Sequence, residues 1–185
     1  MSATTTMKVL LVGDVGTGKT SIVERLCRDR VPEYVSSTIG FDFRTTEYDG
    51  MTYNFWDAAG MERFRCILPM YFRGVSMTWI VVDSSSADAA CQARYWALEC
   101  RKHTDRPLVL VVNKSDLPAA GHDWTAIAAE LGIPYVRASV KSNSQLEWFA
   151  KLIPFLKNTP SPPPIIPHIC LGIRKTNDGP SSCCS

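Results

Sequence analysis

A chain of 185 residues, 45% hydrophobic and 21% charged, has the composition of a soluble globular domain with some length to spare. A formal net charge of +2 makes no electrostatic case for a nucleic-acid or membrane partner, and no nucleic-acid partner is expected. The seven scattered cysteines lack C-x-x-C or zinc-ligand spacing, which points to free thiols in a reducing compartment, and no apolar run approaches the roughly 18 residues a membrane span needs.

Residues 1–6 are polar, lack the apolar core of a signal peptide, and are expected to be an N-terminal extension. Residues 7–13 (MKVLLVG) form an apolar run ending in glycine, which predicts a buried strand. A helix is predicted over 18–28, with Ile22, Val23 and Leu26 on its apolar face. The strand-like runs 41–48 and 52–57 flank Asp49-Gly50, a strong hairpin signal. Two further buried strands are predicted at 78–83 (TWIVVD) and 108–113 (LVLVVN), with a helix over 87–102 between them. A short helix over 123–131 has Asp123 as its prospective cap, and 133–138 reads as a short strand. The last predicted helix spans 142–157, with Leu146, Phe149, Ile153 and Leu156 as its apolar stripe and Pro154 bending its final turn. Strands alternating with helices imply an α/β fold: a six-stranded, mostly parallel sheet with one antiparallel edge strand and helices on both faces. One domain is expected over 7–157. Residues 159–167 then carry five prolines in nine positions, so 158–185 is expected to be a flexible tail.

Three segments carry chemistry. Gly13-Asp14-Val15-Gly16-Thr17-Gly18-Lys19-Thr20 matches G-x-x-x-x-G-K-[ST], between a predicted strand and a predicted helix. Glycines let successive N–H groups face a phosphate, and the helix N-terminus adds the positive end of its dipole. Lys19 can reach the outer phosphates, and the Thr20 hydroxyl is a hard oxygen ligand suited to Mg²⁺. Asn113-Lys114-Ser115-Asp116 ends a buried strand, where ligands bind in open α/β sheets. The Asp116 carboxylate can accept two hydrogen bonds from guanine N1–H and the 2-amino group, a donor pair adenine lacks. Asp57-Ala58-Ala59-Gly60 follows another strand: a carboxylate there can hold Mg²⁺ through water, and the Gly60 N–H can meet a terminal phosphate.

In this order, GDVGTGKT (13–20), STIGFDF (37–43), WDAAGMERF (56–64), YFRG (71–74), NKSD (113–116) and ASVK (138–141) make the chain resemble a Ras-superfamily small GTPase, and most of all the Rab family. The resemblance covers about residues 7–157 and implies a P-loop three-layer fold that binds GTP or GDP with Mg²⁺. It implies that the loop Asp14, Val15, Gly16, Thr17, Gly18, Lys19 and Thr20 holds the phosphates. Thr38 is then the switch threonine that binds Mg²⁺ only with the γ-phosphate present. Thr20 is the other hydroxyl ligand, Asp57 holds Mg²⁺ through water, and Gly60 senses the γ-phosphate. Asn113, Lys114 and Asp116 hold guanine, and Ser139, Val140 and Lys141 complete the base pocket, with valine where the family usually has alanine. Phe43, Trp56 and Tyr71 match the aromatic triad that Rab proteins present to effectors. Implied partners are an exchange factor, a GTPase-activating protein and effectors, with a monomeric nucleotide-binding domain.

The chain departs from the family at three places. Met61 stands where a glutamine normally orients the attacking water, and a thioether cannot replace an amide there. Val15 puts a branched side chain where relatives carry a small one. Val31 replaces an aromatic residue that stacks beside guanine, which predicts faster nucleotide release. Impaired hydrolysis with intact binding is expected. The alternative is a GTP-bound scaffold with negligible hydrolysis, and a P-loop kinase or ATPase is disfavoured by NKSD and the switch threonine. Cys183-Cys184-Ser185 resembles a Rab double-cysteine terminus rather than a C-a-a-X box. That implies two geranylgeranyl chains, a prenyl-transfer escort and a GDP-dissociation inhibitor. It also implies residence on the cytoplasmic face of an intracellular membrane with a cytosolic pool. An apolar stretch at 165–173 has no assigned role. His103, His122 and His168 are expected to be surface residues.

Overall fold

The computed structural model describes residues 6–32, 38, 41–58 and 68–157. The elements in chain order are β1 (Thr6–Val12), α1 (Lys19–Arg28), β2 (Phe41–Tyr48), β3 (Met51–Ala58), α2 (Leu68–Tyr71) and β4 (Met77–Asp83). They continue with α3 (Ala89–Arg101), β5 (Leu108–Asn113), α4 (Trp124–Leu131), β6 (Tyr135–Arg137) and α5 (Gln145–Lys157). One six-stranded sheet has the order β2-β3-β1-β4-β5-β6. The β2–β3 pair is antiparallel and every other pair is parallel, as the α/β reading requires.

The continuous apolar runs follow from coverage on both faces. Successive side chains of a strand point to opposite faces. Val9, Leu11, Trp79, Val81, Val109 and Val111 join α1 and α5 in one core through Ile22, Leu26, Trp148, Phe149 and Leu152. Their neighbours Leu10, Val12, Ile80, Val82, Leu110 and Val112 join α3 and α4 in a second core through Ala93, Trp96, Trp124 and Ile127. Every position of β5 is therefore buried, and no polar alternation survives in its sequence.

Local chemistry sets the boundaries. Asp49 (φ 51°) and Gly50 (φ 73°) both take positive φ, the requirement of a tight two-residue hairpin. Asp123 caps α4 by accepting from the N–H groups of Thr125 and Ala126, each at 3.0 Å. The first strand begins one residue earlier than predicted, because Thr6 pairs with Thr52. The single turn α2 had no periodic signal.

Three expectations need correction. The predicted strand 133–138 shrinks to Tyr135–Arg137. Gly132 ends α4 at φ 63° and the Ile133 N–H closes that helix on Ala128 O at 3.1 Å, while Pro134 has no N–H. The ladder with β5 opens with the Leu110 N–H on Pro134 O (2.9 Å), and Tyr135 is its first paired residue. The last helix starts at Gln145, not 142. The Ser142 N–H is taken by Ser139 Oγ (3.1 Å) and the Asn143 N–H by Ser139 O (2.9 Å). Ser144 and Glu147 then form a capping box, with the Ser144 N–H on Glu147 Oε2 (2.7 Å) and the Glu147 N–H on Ser144 Oγ (3.3 Å). The apolar stripe is corrected at one position: Leu146 is 62% exposed, while Phe149 is buried as predicted, beside Trp148 and Leu152; the side chains of Ile153 and Leu156 lie outside the described residues. Pro154 removes one helical hydrogen bond without ending the helix. No helix among the described residues is long and apolar enough to cross a membrane.

Candidate functional site

The parallel strands β1, β4 and β5 deliver their following loops to one edge of the sheet, the usual ligand position in open α/β folds. The loop after β1 is shaped by glycine. Gly13 (φ 143°) and Gly18 (φ 95°) sit where a Cβ would run into Val81 O and the Asn113 amide nitrogen respectively. Thr17 Oγ1 donates to Asp14 O at 3.0 Å and tightens the turn. The first turn of α1 has no side-chain cap and no acidic residue, so its N–H groups and dipole point into the loop uncompensated. Lys19 is 6% exposed, and its ammonium donates to Gly13 O and Asp14 O, both at 2.8 Å. Burial pushes its pKa down to about 8, opposed by the nearby Asp57 and Asp14 carboxylates. The result is a concave set of N–H donors around a buried cation, an arrangement chemically suited to phosphate.

Beside it three hard oxygens converge. Thr20 Oγ1 donates to Asp57 Oδ2 at 2.5 Å, lies 3.0 Å from Thr38 Oγ1, and Thr38 Oγ1 is 3.4 Å from the same carboxylate oxygen. Asp57 is 1% exposed, and its buried Oδ1 has no hydrogen-bond partner among the described residues. Burial holds its pKa above the ordinary value against the Thr20 hydrogen bond and the Lys19 charge. A buried carboxylate with a spare oxygen beside two hydroxyls fits a hard divalent cation such as Mg²⁺. Among the described residues no cluster of three or more His, Cys, Asp or Glu offers an alternative metal site.

On the other side of the loop lies a cleft of about 300 Å³, lined by Val31, Pro32, Lys114, Asp116, Val140 and Lys141 among others. Asn113 joins the two halves: its Nδ2 donates to Thr17 O at 2.8 Å, and its buried Oδ1 has no partner among the described residues. Lys114 takes φ 58° and donates to Asp83 Oδ2 at 2.7 Å. Burial would raise the Asp83 pKa, but its bonds with Lys114 and Ser85 outweigh that and lower it. Ser139 Oγ donates to Asp116 Oδ1 at 2.5 Å and accepts from the Lys141 and Ser142 N–H groups, each at 3.1 Å. Val140 is 6% exposed and packs in the α1/α5 core, so the larger side chain at this position is spent on packing.

Three contacts here lay beyond sequence reasoning. Trp96 Nε1 of α3 donates to Asp14 Oδ1 at 2.8 Å and fixes the phosphate loop from behind. Arg25 of α1 forks onto Val140 O at 3.1 and 2.9 Å. Phe41 stacks on Tyr71 at 3.4 Å between ring centroids and extends the predicted aromatic set. Within that set Phe43 and Trp56 are cross-strand partners at 5.0 Å, and Trp56 lies 5.4 Å from Tyr71. Phe43 is exposed, as is Val15 at the loop. His103 stacks on Phe72 and His122 bonds Ser86 O, neither at the site. Gly60, Met61, His168 and the tail cysteines Cys183 and Cys184 lie outside the described residues.

A family model described as Roc, Ras of Complex, Roc, domain of DAPkinase matches residues 8–116. The chain is 37% identical over 150 residues to the GTP-binding protein YPTM2 of Zea mays, covering 76% of this chain and 74% of that protein. It is 38% identical over 150 residues to the Ras-related protein RABD2a of Arabidopsis thaliana, with the same shares covered. It is 34% identical over 149 residues to the Ras-related protein SEC4 of Saccharomyces cerevisiae, covering 76% of this chain and 69% of that one. With the phosphate loop, the hard-oxygen set and the adjoining cleft at one edge of the sheet, the chain belongs to the Ras superfamily: it is a Rab-like small GTPase.

Proposed function

We propose that the domain over 7–157 is a guanine-nucleotide switch that cycles between GDP and GTP states and recruits effectors in membrane traffic, with low intrinsic hydrolysis. The observation that carries the reading is the Asn113–Thr17 hydrogen bond (2.8 Å), which couples a phosphate-type loop to the cleft holding Asp116. Backbone groups of 14–18 and the Lys19 ammonium hold the phosphates. Thr20 and Thr38 would hold Mg²⁺ directly, and Asp57 would hold it through water. When bound, that ion offsets charge on the phosphate oxygens. Asn113, Lys114 and Asp116 read guanine, with Ser139, Val140 and Lys141 closing the pocket. Gly60 and Thr38 distinguish the triphosphate state, and Phe43, Trp56 and Tyr71 present it to effectors.

Met61 offers no amide to orient the attacking water, and Val15 crowds the space around the γ-phosphate. Hydrolysis is therefore weak, and persistent GTP occupancy as an effector scaffold is the second reading. The nucleotide that co-purifies separates them: mostly GDP supports the cycling switch, mostly GTP the scaffold, and adenine nucleotide removes the assignment of the cleft. In single-turnover assays Met61→Gln should hydrolyse GTP about tenfold faster than wild type. Equal rates would remove Met61 as the cause of slow chemistry.

The proposal extends to the tail, 158–185. Two geranylgeranyl groups on Cys183 and Cys184 would attach the protein to the cytoplasmic face of an intracellular membrane. An escort and a GDP-dissociation inhibitor would maintain a cytosolic pool. Mass spectrometry of the cellular protein should show both thioethers, and two unmodified thiols would refute it.

A further inference from the structure

A buried tryptophan fills a core well, but it carries one N–H that needs a partner. Trp79, Trp96 and Trp148 are all almost completely buried, and they meet that need differently. Trp79 gives its N–H to Met77 Sδ at 3.2 Å, and Trp148 Nε1 has no partner among the described residues. Trp96, in the middle of α3, donates to a carboxylate oxygen, Asp14 Oδ1, at 2.8 Å. A hydrogen bond to a carboxylate is roughly twice as strong as one between neutral groups. Packing against the α3/α4 core does not call for that donor, since a phenylalanine ring has the same apolar body.

Asp14 is the second residue of the phosphate loop. Its carbonyl accepts from Thr17 Oγ1 at 3.0 Å and from the Lys19 ammonium at 2.8 Å. The next two residues, Val15 and Gly16, are exposed. Asp14 is therefore the point at which the loop is tied to the core, by its main chain on one side and its side chain on the other. Its carboxylate is also a like charge beside a site suited to phosphate, close enough to Lys19 to favour that ammonium's charged form. Left free, it would compete with a phosphate for Lys19.

We propose that Trp96 is a positioning residue for phosphate binding: its indole N–H pins the Asp14 side chain to α3, which steadies the loop 13–18 and keeps the carboxylate off the phosphates. This rests on the nucleotide-switch reading above.

The test uses the full chain loaded with GDP and Mg²⁺. In ¹H–¹⁵N spectra Trp96→Phe identifies the Trp96 indole resonance by its loss, and Asp14→Ala should move that resonance upfield as its acceptor disappears. Release of fluorescent GDP is the functional readout. Trp96→Phe should speed release about tenfold in the wild-type background and by no more than about twofold in the Asp14→Ala background, where no carboxylate is left to pin. Asp14→Asn retains a side-chain oxygen for the indole and should release GDP more slowly than Asp14→Ala. The Asp14 variants keep the test decisive if Trp96→Phe fails to fold: one of the five indole resonances should move in Asp14→Ala and return toward its wild-type position in Asp14→Asn. A merely structural Trp96 speeds release by the same factor in both backgrounds, and that result overturns the proposal. So do an indole resonance that Asp14→Ala leaves in place, unchanged release in Trp96→Phe, and equal release by the two Asp14 variants. Wild type that holds no guanine nucleotide, which is seen before any variant is made, overturns the switch reading and the role of Trp96 with it.

Discussion

Gly18→Ala should reduce GDP affinity more than about a hundredfold and lower the melting temperature by roughly 5–12 °C. Two costs combine. Gly18 takes φ 95°, where an L side chain costs about 1–2 kcal/mol. A methyl group there also meets the Asn113 amide nitrogen. That amide cannot swing aside freely, because Asn113 is buried and its Nδ2 is committed to Thr17 O. Displacing it breaks a buried hydrogen bond worth about 1–2 kcal/mol and separates the phosphate loop from the cleft. Gly16→Ala is the control for stability. Gly16 also takes positive φ (80°), but a Cβ there meets nothing within 4 Å, so only backbone strain applies. Thermal melts of both variants with a GDP titration check this. A Gly18→Ala protein with GDP affinity within tenfold of wild type would show that the two halves of the site do not depend on each other.

Apart from the single turn α2, the order of elements was legible because β1, β4 and β5 are short apolar runs, β2 and β3 flank Asp49-Gly50, and the longer helices carry an apolar face. Where neighbouring bonds redirect the chain, that signal failed. The Ile133 N–H is drawn into the end of α4, and a hydrophobic run became a three-residue strand. In the last helix the predicted stripe was wrong at Leu146, which is exposed, and right at Phe149, which is buried. Trp148 lies two residues after Leu146, outside the assumed stripe, yet is completely buried. The capping box Ser144-x-x-Glu147 was readable, and it places both the helix start and its rotation. At the site, 13–20 and 113–116 were readable because each works as a contiguous loop at a strand end. The contacts that hold those loops were not readable. Trp96 meets Asp14 across 82 residues and Arg25 meets Val140 across 115, and no local spacing records either pairing.

Asp116→Ala should lower guanine-nucleotide affinity about a thousandfold or more and largely erase the preference for GDP over ADP. The size of the effect comes from the base edge. Guanine presents N1–H and a 2-amino group to one carboxylate, and losing that acceptor leaves both donors unpaired in the cleft. The phosphate loop is untouched, so the residual affinity should be similar for both bases. The fold should tolerate the change. Ser139 Oγ loses its bond to Asp116 but still accepts from the Lys141 and Ser142 N–H groups, so stability should fall by only about 1 kcal/mol. Asp116→Asn sharpens the test, because its carbonyl can still serve Ser139 while its amino group faces guanine donor to donor. It should bind GDP as poorly as Asp116→Ala with a melting temperature near wild type. It should bind xanthosine diphosphate better, since that base carries an acceptor where guanine has its 2-amino group. If Asp116→Asn instead binds GDP like wild type, the guanine-reading acceptor lies elsewhere, and the cleft beside Val31 has been assigned the wrong ligand.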